Sequence, residues 1–252
     1  MNTQHMGHIQ RHEEIELDAP TLVEGMPGIG LVGKIATDHL IEEFDMSYYA
    51  SIHCEGIVPI GVYEQGDRTV RPPVRLYADE ERDLLALRSD VPIPADATSE
   101  FTTCLTGLIE YEDVNPLYLS GFPAEKDDEP PNLFGVATGE AAADRLDEHG
   151  IDLPDENGAV AGPAGGLLNR AAQTGLDSTV LVVESDPQFP DPEAARILIT
   201  RGIEPLAGID VEVEGLVEQA DSIREQKEQL AQRMQEADTQ ESSQAQQIKM
   251  FQ

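Results

Sequence analysis

The sequence predicts an α/β fold in which a mostly parallel central sheet is flanked by helices, and three observations carry that prediction. From Pro20 onward short β-rich runs alternate with longer stretches of helical spacing, which is the pattern of an α/β fold built on a parallel sheet. The run Thr179–Val183, TVLVV, is apolar and almost wholly β-branched, as a strand covered on both faces must be. Glycine- and proline-rich turns separate several strands from the helices that follow, as in MPGIGLVG before KIATDHL and GPAGG before LLNRAA.

Element by element, strands are expected at Thr21–Glu24, Ser47–His53, Ile57–Tyr63, Val74–Tyr77, Asp83–Arg88, Leu117–Ser120, Leu133–Ala137, Ala159–Ala161 and Thr179–Glu184. Helices are expected at Leu31–Glu43, Ala97–Glu110, Glu140–Glu148, Gly165–Thr174 and Pro192–Ala207. The stretch from Ser47 to Arg88 has no helical period, so an antiparallel meander at one end of the sheet is expected there. Pro163, and later Pro190 with Pro192, mark helix starts because the first turn of a helix tolerates a missing N–H. After Gly215 glycine and proline vanish, and Leu216, Ile223, Leu230 and Ala237 recur at seven-residue spacing, the signature of an amphipathic helix. The organisation expected is a flexible segment over residues 1–15, an α/β domain over 16–210, a helical extension over 211–238 and a flexible tail over 239–252.

Composition narrows the function. Asp and Glu number 49 against 16 Lys and Arg, a formal charge of −33 in 252 residues. Self-repulsion on that scale is relieved only when salt shortens the Debye length to about 3 Å near 1 M, so the chain reads as adapted to molar salt. The acids are spread along the whole chain, which argues against a local acidic decoy, and direct nucleic-acid binding is not expected. The opening MNTQHMGHIQRHEE lacks the apolar centre of a targeting signal and no apolar run approaches a membrane span, so a cytoplasmic protein with no membrane partner is expected. Cys54 and Cys104 sit in apolar surroundings without metal-ligand spacing and read as reduced core residues.

Signatures of catalysis are thin. There is no P-loop, nucleophile elbow, H-E-x-x-H or C-x-x-C in the sequence. His5, His8 and His12 lie in the polar opening, and His39, His53 and His149 are scattered, so neither a metal nor a cofactor is expected. Acidic pairs are abundant enough to arise by chance, and Arg170 in the second glycine turn reads as a packing residue. One motif remains: Gly28, Gly30 and Gly33 spell G-x-G-x-x-G between an apolar run and a helix. Such a turn brings phosphate to backbone N–H groups at a helix start. The same small residues also serve close helix–strand packing with no ligand at all.

The stretches EGMPGIGLVGKIATDHLI, GFPAE, GPAGGLLNRAAQTGLDSTVLVVES and PDPEAARILI together resemble the archaeal, specifically haloarchaeal, branch of the proteasome assembly chaperone 2 family, from about Glu16 to about Ala207. That resemblance implies an α/β fold related to nucleoside-phosphorylase-like sheets, no common catalytic activity, and a glycine motif used as a strand-to-helix turn. It also implies a meaning for Met250-Phe251-Gln252, which looks like the hydrophobic–tyrosine–any tail of proteasome-docking proteins with Phe251 in the tyrosine place. The function expected from the resemblance is a non-enzymatic, homo-oligomeric assembly chaperone or regulator that binds proteasome α subunits or the core particle. The alternative is a nucleotide- or anion-binding enzyme or sensor that uses the glycine turn.

Overall fold

The computed structural model describes residues 8–64, 66–112, 114–124 and 130–216. The described residues form one eight-stranded sheet from β1 (His8–Arg11), β2 (Thr21–Gly25), β3 (Ser47–His53), β4 (Val74–Asp79), β5 (Leu84–Ser89), β6 (Asn115–Pro123), β7 (Leu133–Thr138) and β8 (Ser178–Ser185). Their spatial order is β1-β3-β4-β5-β2-β6-β8-β7. Helices α1 (Val32–Glu43), α2 (Thr98–Glu112), α3 (Glu140–Glu148), α4 (Gly162–Thr174), α5 (Pro192–Leu198) and α6 (Glu204–Ala207) cover both faces, with a π-helical turn at Ile199–Ile203 between the last two.

The sheet is mixed. Strands β5, β2, β6 and β8 run parallel at its centre, while β1, β3 and β4 on one side and β7 on the other pair antiparallel. The antiparallel side is the meander read from Ser47 to Arg88. Strand β8 carries the TVLVV run; Val180 and Val182 pack into one core and Leu181 and Val183 into the other. Burying each such side chain stabilises by about 1.5–3 kcal/mol, so the alternation glues both helical layers to the sheet. The α1 and α5 layer covers the core of Leu181 and Val183, and α2 with α4 covers that of Val180 and Val182.

Helix α1 approaches the sheet closely because its inward positions, Gly33, Ala36 and Thr37, are small. Helix α4 carries Pro163 in its first turn and stops at Gly175, whose φ of 76° is left-handed, a helix end that glycine adopts without strain. Asp191 caps α5, accepting from the Ala194 N–H at 3.1 Å. The single helix expected over Pro192–Ala207 is instead interrupted at the π turn. There Gly202 packs so tightly on Leu181 that an added Cβ would lie 2.4 Å from its Cδ1.

Four further expectations are corrected. Residues 57–63 are not a strand but a loop with one isolated bridge, Val62 to Arg71; Pro59, Pro72 and Pro73 lack N–H donors, and Gly61 brings no side chain to pack a ladder. Residues 159–161 are irregular and lead into α4. The opening segment, expected to be flexible through residue 15, contributes edge strand β1, and His12 Nε2 lies 2.7 Å from Ser51 Oγ with its ring stacked on Tyr48. Cys54 and Cys104 are joined in a disulfide that closes fifty residues of chain and ties the start of the β3–β4 loop to α2. Unfolded, unreduced protein is therefore expected to show no titratable thiol, and reduction should lower its melting temperature; two free thiols would contradict the pairing.

Residues 214–216 are helical and Leu216 is buried in the α1 and α5 core. The rest of the expected helical extension, the seven-residue repeat beyond Leu216 and the Met250-Phe251-Gln252 motif lie outside the described residues. Among the described residues no helix is long and apolar enough to cross a membrane.

Candidate functional site

The glycine turn lies at the carboxyl end of β2, between the ends of β5 and β6. Gly30 and the following Leu31 both adopt left-handed conformations, with φ of 61° and 52°, so the chain reverses sharply before α1. A Cβ on Gly30 would stand 1.8 Å from Ser185 Oγ. Gly33 faces Gly25 of β2 and Leu119 of β6, and a Cβ on Gly25 would meet Thr37 Oγ1 at 2.1 Å. The turn is also latched to α5: the Asp191 N–H donates to the Gly30 carbonyl at 2.8 Å, while Asp191 Oδ2 accepts from Ser185 Oγ at 3.3 Å and from the Asp186 N–H at 3.1 Å. Two of the three motif glycines thus serve close packing. Gly28 is extended at φ −143° and has open space where a side chain would be.

Gly30→Ala is expected to destabilise the fold by about 2–4 kcal/mol, the sum of a left-handed alanine and an overpacked contact. Chemical denaturation measures it, and a change below about 1 kcal/mol would show that Ser185 yields freely.

Beside the turn a cleft of about 1350 Å³ is lined by residues of β2, β6, β7 and β8, by Val32 and Gly33 of α1 and by residues 150–164, which run into the first turn of α4. Six carboxylic acids line it, Glu24, Asp147, Asp152, Asp155, Glu156 and Glu184, and among its described lining residues there is no Lys, Arg or His. That field opposes a phosphate ligand. NAD or ATP at millimolar concentration is accordingly expected to move the melting temperature by less than about 1 °C; a larger, saturable rise would return the turn to the nucleotide reading.

Glu24 is the unusual member. It is 0% exposed, one oxygen accepts from the Met26 N–H at 2.9 Å, and Oε2 has no hydrogen bond of acceptable geometry. Burial pushes its pKa up to about 8, against the pull of the Met26 and Leu119 amides toward the charged form, so it is mostly protonated at neutral pH. Its neighbour across the strands is Tyr118, also fully buried, whose hydroxyl is pushed up by the same desolvation.

On the other flank of the turn, four cations and four acids interlock. Lys34 reaches Asp38 at 2.7 Å, Arg88 reaches Asp38 at 3.1 Å and Glu64 at 3.3 Å, Arg75 reaches Asp90 at 2.7 Å, and Arg71 reaches Asp67 at 3.0 Å and Glu64 at 3.4 Å. Burial works against the Arg88 charge, but Asp38 and Asp90 outweigh it and hold its pKa above the ordinary value. This network spends a quarter of the chain's sixteen Lys and Arg on fixing the β3–β4 loop over α1 and β5.

What that loop presents is apolar. Val58, Ile60, Tyr63 and Val70 are exposed on it, Tyr63 to 76%. The loop leaves the carboxyl end of β3 and enters β4 at Val74, opposite the last residue of β5, so it stands at the same end of the sheet as the glycine turn. Ile29 and Leu31 are exposed in the turn, Phe122 near the end of β6, and Leu153 beside Asp152, which bridges to Phe134 near the start of β7. Every large apolar side chain exposed among the described residues therefore lies at one end of the sheet. Concentrated exposure of this kind marks an interaction surface.

The structure thus keeps Gly28, Gly30 and Gly33 together at this end, leaves Met250, Phe251 and Gln252 outside the described residues, and places Arg170 away from the cleft lining. Among the described residues no three His, Cys, Asp or Glu side chains are grouped to hold a metal ion. Sequence reasoning missed Glu24, the ion network and the apolar loop; the only signal available was an acid closing the apolar run Leu22-Val23.

Comparison with known proteins agrees with this geometry. The profile of the PAC2 family matches residues 22–231. An uncharacterized protein of Methanocaldococcus jannaschii is 29% identical over 224 residues, covering 86% of this chain and 88% of its own. Among solved structures, Pyrococcus furiosus PbaA, described as an archaeal homolog of proteasome-assembly chaperone, superposes with a TM-score of 0.79 at 25% identity over 96% of this chain and 98% of its own. Pyrococcus furiosus PbaB, described as an archaeal proteasome activator, shares the fold with a TM-score of 0.77 at 22% identity over 90% of this chain and 99% of its own. With the family profile spanning residues 22–231 of its 252, the chain belongs to the PAC2 family.

Proposed function

We propose that this chain is a proteasome-binding chaperone or activator that acts without catalysis, docking on proteasome α subunits or the assembled core particle. The observation that carries the reading is its PAC2 membership together with the likeness to PbaA, a homolog of proteasome-assembly chaperone. The clustering of exposed apolar residues at the carboxyl end of the sheet supports it and nominates a face on the body. In this reading Met250-Phe251-Gln252 is a second anchor: an apolar pair enters a pocket and the carboxylate meets a cation. A homo-oligomer would present several such anchors, raising avidity without new contacts per tail. The work is done in the cytoplasm at high salt, where the charge of −33 is screened.

The test is a pull-down in 1 M KCl of purified α subunits and of assembled core particle, using the full chain and Phe251→Ala. Capture of either by the full chain, weakened about tenfold or more by Phe251→Ala, is expected. Capture of neither would overturn the reading, and capture indifferent to Phe251 would remove the tail anchor while keeping the partner.

A further inference from the structure

The disulfide serves a loop more than the core. Cys54 and Cys104 are the only cysteines of the chain, and both are half-buried, with Glu55, Gly56 and Thr103 exposed beside them. A body with apolar cores on both faces of an eight-stranded sheet buries enough area to stand without a covalent staple. What the bond holds is the root of the β3–β4 loop, which it ties to the middle of α2.

That loop has two locks of different chemistry. Its far half is held by charge: Arg71 meets Asp67 at 3.0 Å and Glu64 at 3.4 Å, and Arg88 of β5 meets Glu64 at 3.3 Å. Its near half, residues 55–61, carries none of those pairs. The backbone bonds there are local, from the Ile57 N–H to the Cys54 carbonyl at 3.4 Å and from the Ile60 N–H to the Val58 carbonyl at 2.9 Å. Gly56, at φ 84°, seats the chain against Ala97, and Ile57 packs on the α2 core. Beyond these contacts the disulfide is what fixes the near half, and the near half carries the exposed Val58 and Ile60.

We infer that Cys54–Cys104 is a site of thiol–disulfide exchange whose substrate is a dithiol, and that its redox state decides whether Val58 and Ile60 are held in place or released. One thiolate of the dithiol attacks a sulfur of the pair; the S–S bond breaks, a mixed disulfide forms, and the displaced cysteine leaves as a thiolate and takes up a proton. The second thiolate of the dithiol then displaces the other cysteine. Two cysteine thiols result, the dithiol supplies both electrons and departs as its own disulfide, and exchange in reverse closes the bond again. A released segment has to be ordered anew when it docks, so the oxidised protein is the form that binds a partner more tightly. That last step rests on the proteasome reading; the exchange and the release do not.

The experiment incubates the native full chain in 1 M KCl with dithiothreitol, quenches with a maleimide in the absence of denaturant, and follows alkylation and amide hydrogen exchange by mass spectrometry. Two alkylated cysteines are expected, with exchange at residues 55–61 faster by about tenfold or more and exchange in β4 and β5 unchanged. The double variant Cys54→Ser, Cys104→Ser should show the fast exchange without dithiol and no further change with it; if it fails to fold, the reduced wild type carries the readout alone. Alkylation that needs denaturant, or reduction that leaves residues 55–61 as slow as before or loosens the whole body, would overturn the inference. In a pull-down of proteasome α subunits, reduction should weaken capture about tenfold, and equal capture in both states would overturn the gating. Capture in neither state would count against the proteasome reading and leave this inference to the exchange measurement, so the two fail separately.

Discussion

Asp90→Asn is expected to cost about 3–5 kcal/mol of folding stability, the penalty for leaving a buried charge without its partner. Arg75 is 0% exposed, and Asp90 at 2.7 Å is its nearest counter-charge; Glu64 stands at 3.6 Å and the Pro72 carbonyl accepts one hydrogen bond at 3.0 Å. The Arg75–Asp90 pair is a close ion contact without good hydrogen-bond angles, so its strength is coulombic and depends on the full charge of Asp90. The same substitution also weakens Lys34 and Arg88, which lie 3.7 and 3.5 Å from Asp90. For a domain of this size the loss corresponds to a fall of roughly 10 °C in melting temperature. It should persist in molar KCl, because salt screens exposed pairs far more than buried ones. Asp152→Asn, which breaks the exposed pair with Arg201 at 3.9 Å, is the contrast and should cost less than about 1 kcal/mol. Equal effects of the two substitutions would contradict the central role of the network.

Glu24 makes the second large prediction. Its folded pKa of about 8 stands above the ordinary 4.5, so the native state holds a proton that the unfolded chain has released. Its contribution is therefore fully present below about pH 4.5 and is lost as pH rises to about 8. The accumulated loss is on the order of 4 kcal/mol. Glu24→Gln keeps the shape and removes the titration, so the variant should gain on the wild type with rising pH and be the more stable protein at pH 8.5. Denaturant melts at pH 5 and pH 8.5 measure the difference. A wild type and variant whose gap does not change with pH would show that Glu24 titrates as an ordinary carboxyl.

Much of the scaffold is legible in the sequence, and the reason is periodicity. Strand β3 and helix α3 fall on their expected bounds, Ser47–His53 and Glu140–Glu148, because SYYASIH and EAAADRLDE each follow one period between clear breakers. Strand β1 was not legible: HIQR has no pattern of its own and is held by pairing with β3. The run IVPIGVY reads as a strand because apolar enrichment looks alike whether a residue is buried or offered to a partner. The structure exposes Val58, Ile60 and Tyr63 instead. The ion network joins residues from Lys34 to Asp90 that no local spacing connects. The disulfide was hidden for a similar reason, since Cys54 and Cys104 meet only when the start of the loop, where a Cβ on Gly56 would lie 2.4 Å from the Ala97 Cβ, settles on α2. The glycine motif is the opposite case: its turn was legible, while its use became clear only from Ser185 and Asp191 closing around Gly30.

The claim that the carboxyl end of the sheet is the docking face is tested most directly by hydrogen–deuterium exchange of the full chain with and without purified proteasome α subunits. Protection is predicted at residues 27–33, 57–71 and 119–123, with none at the opposite end around residues 80–83, 139 and 175–177. Protection confined to that opposite end, or exchange unchanged by the subunits, would contradict it.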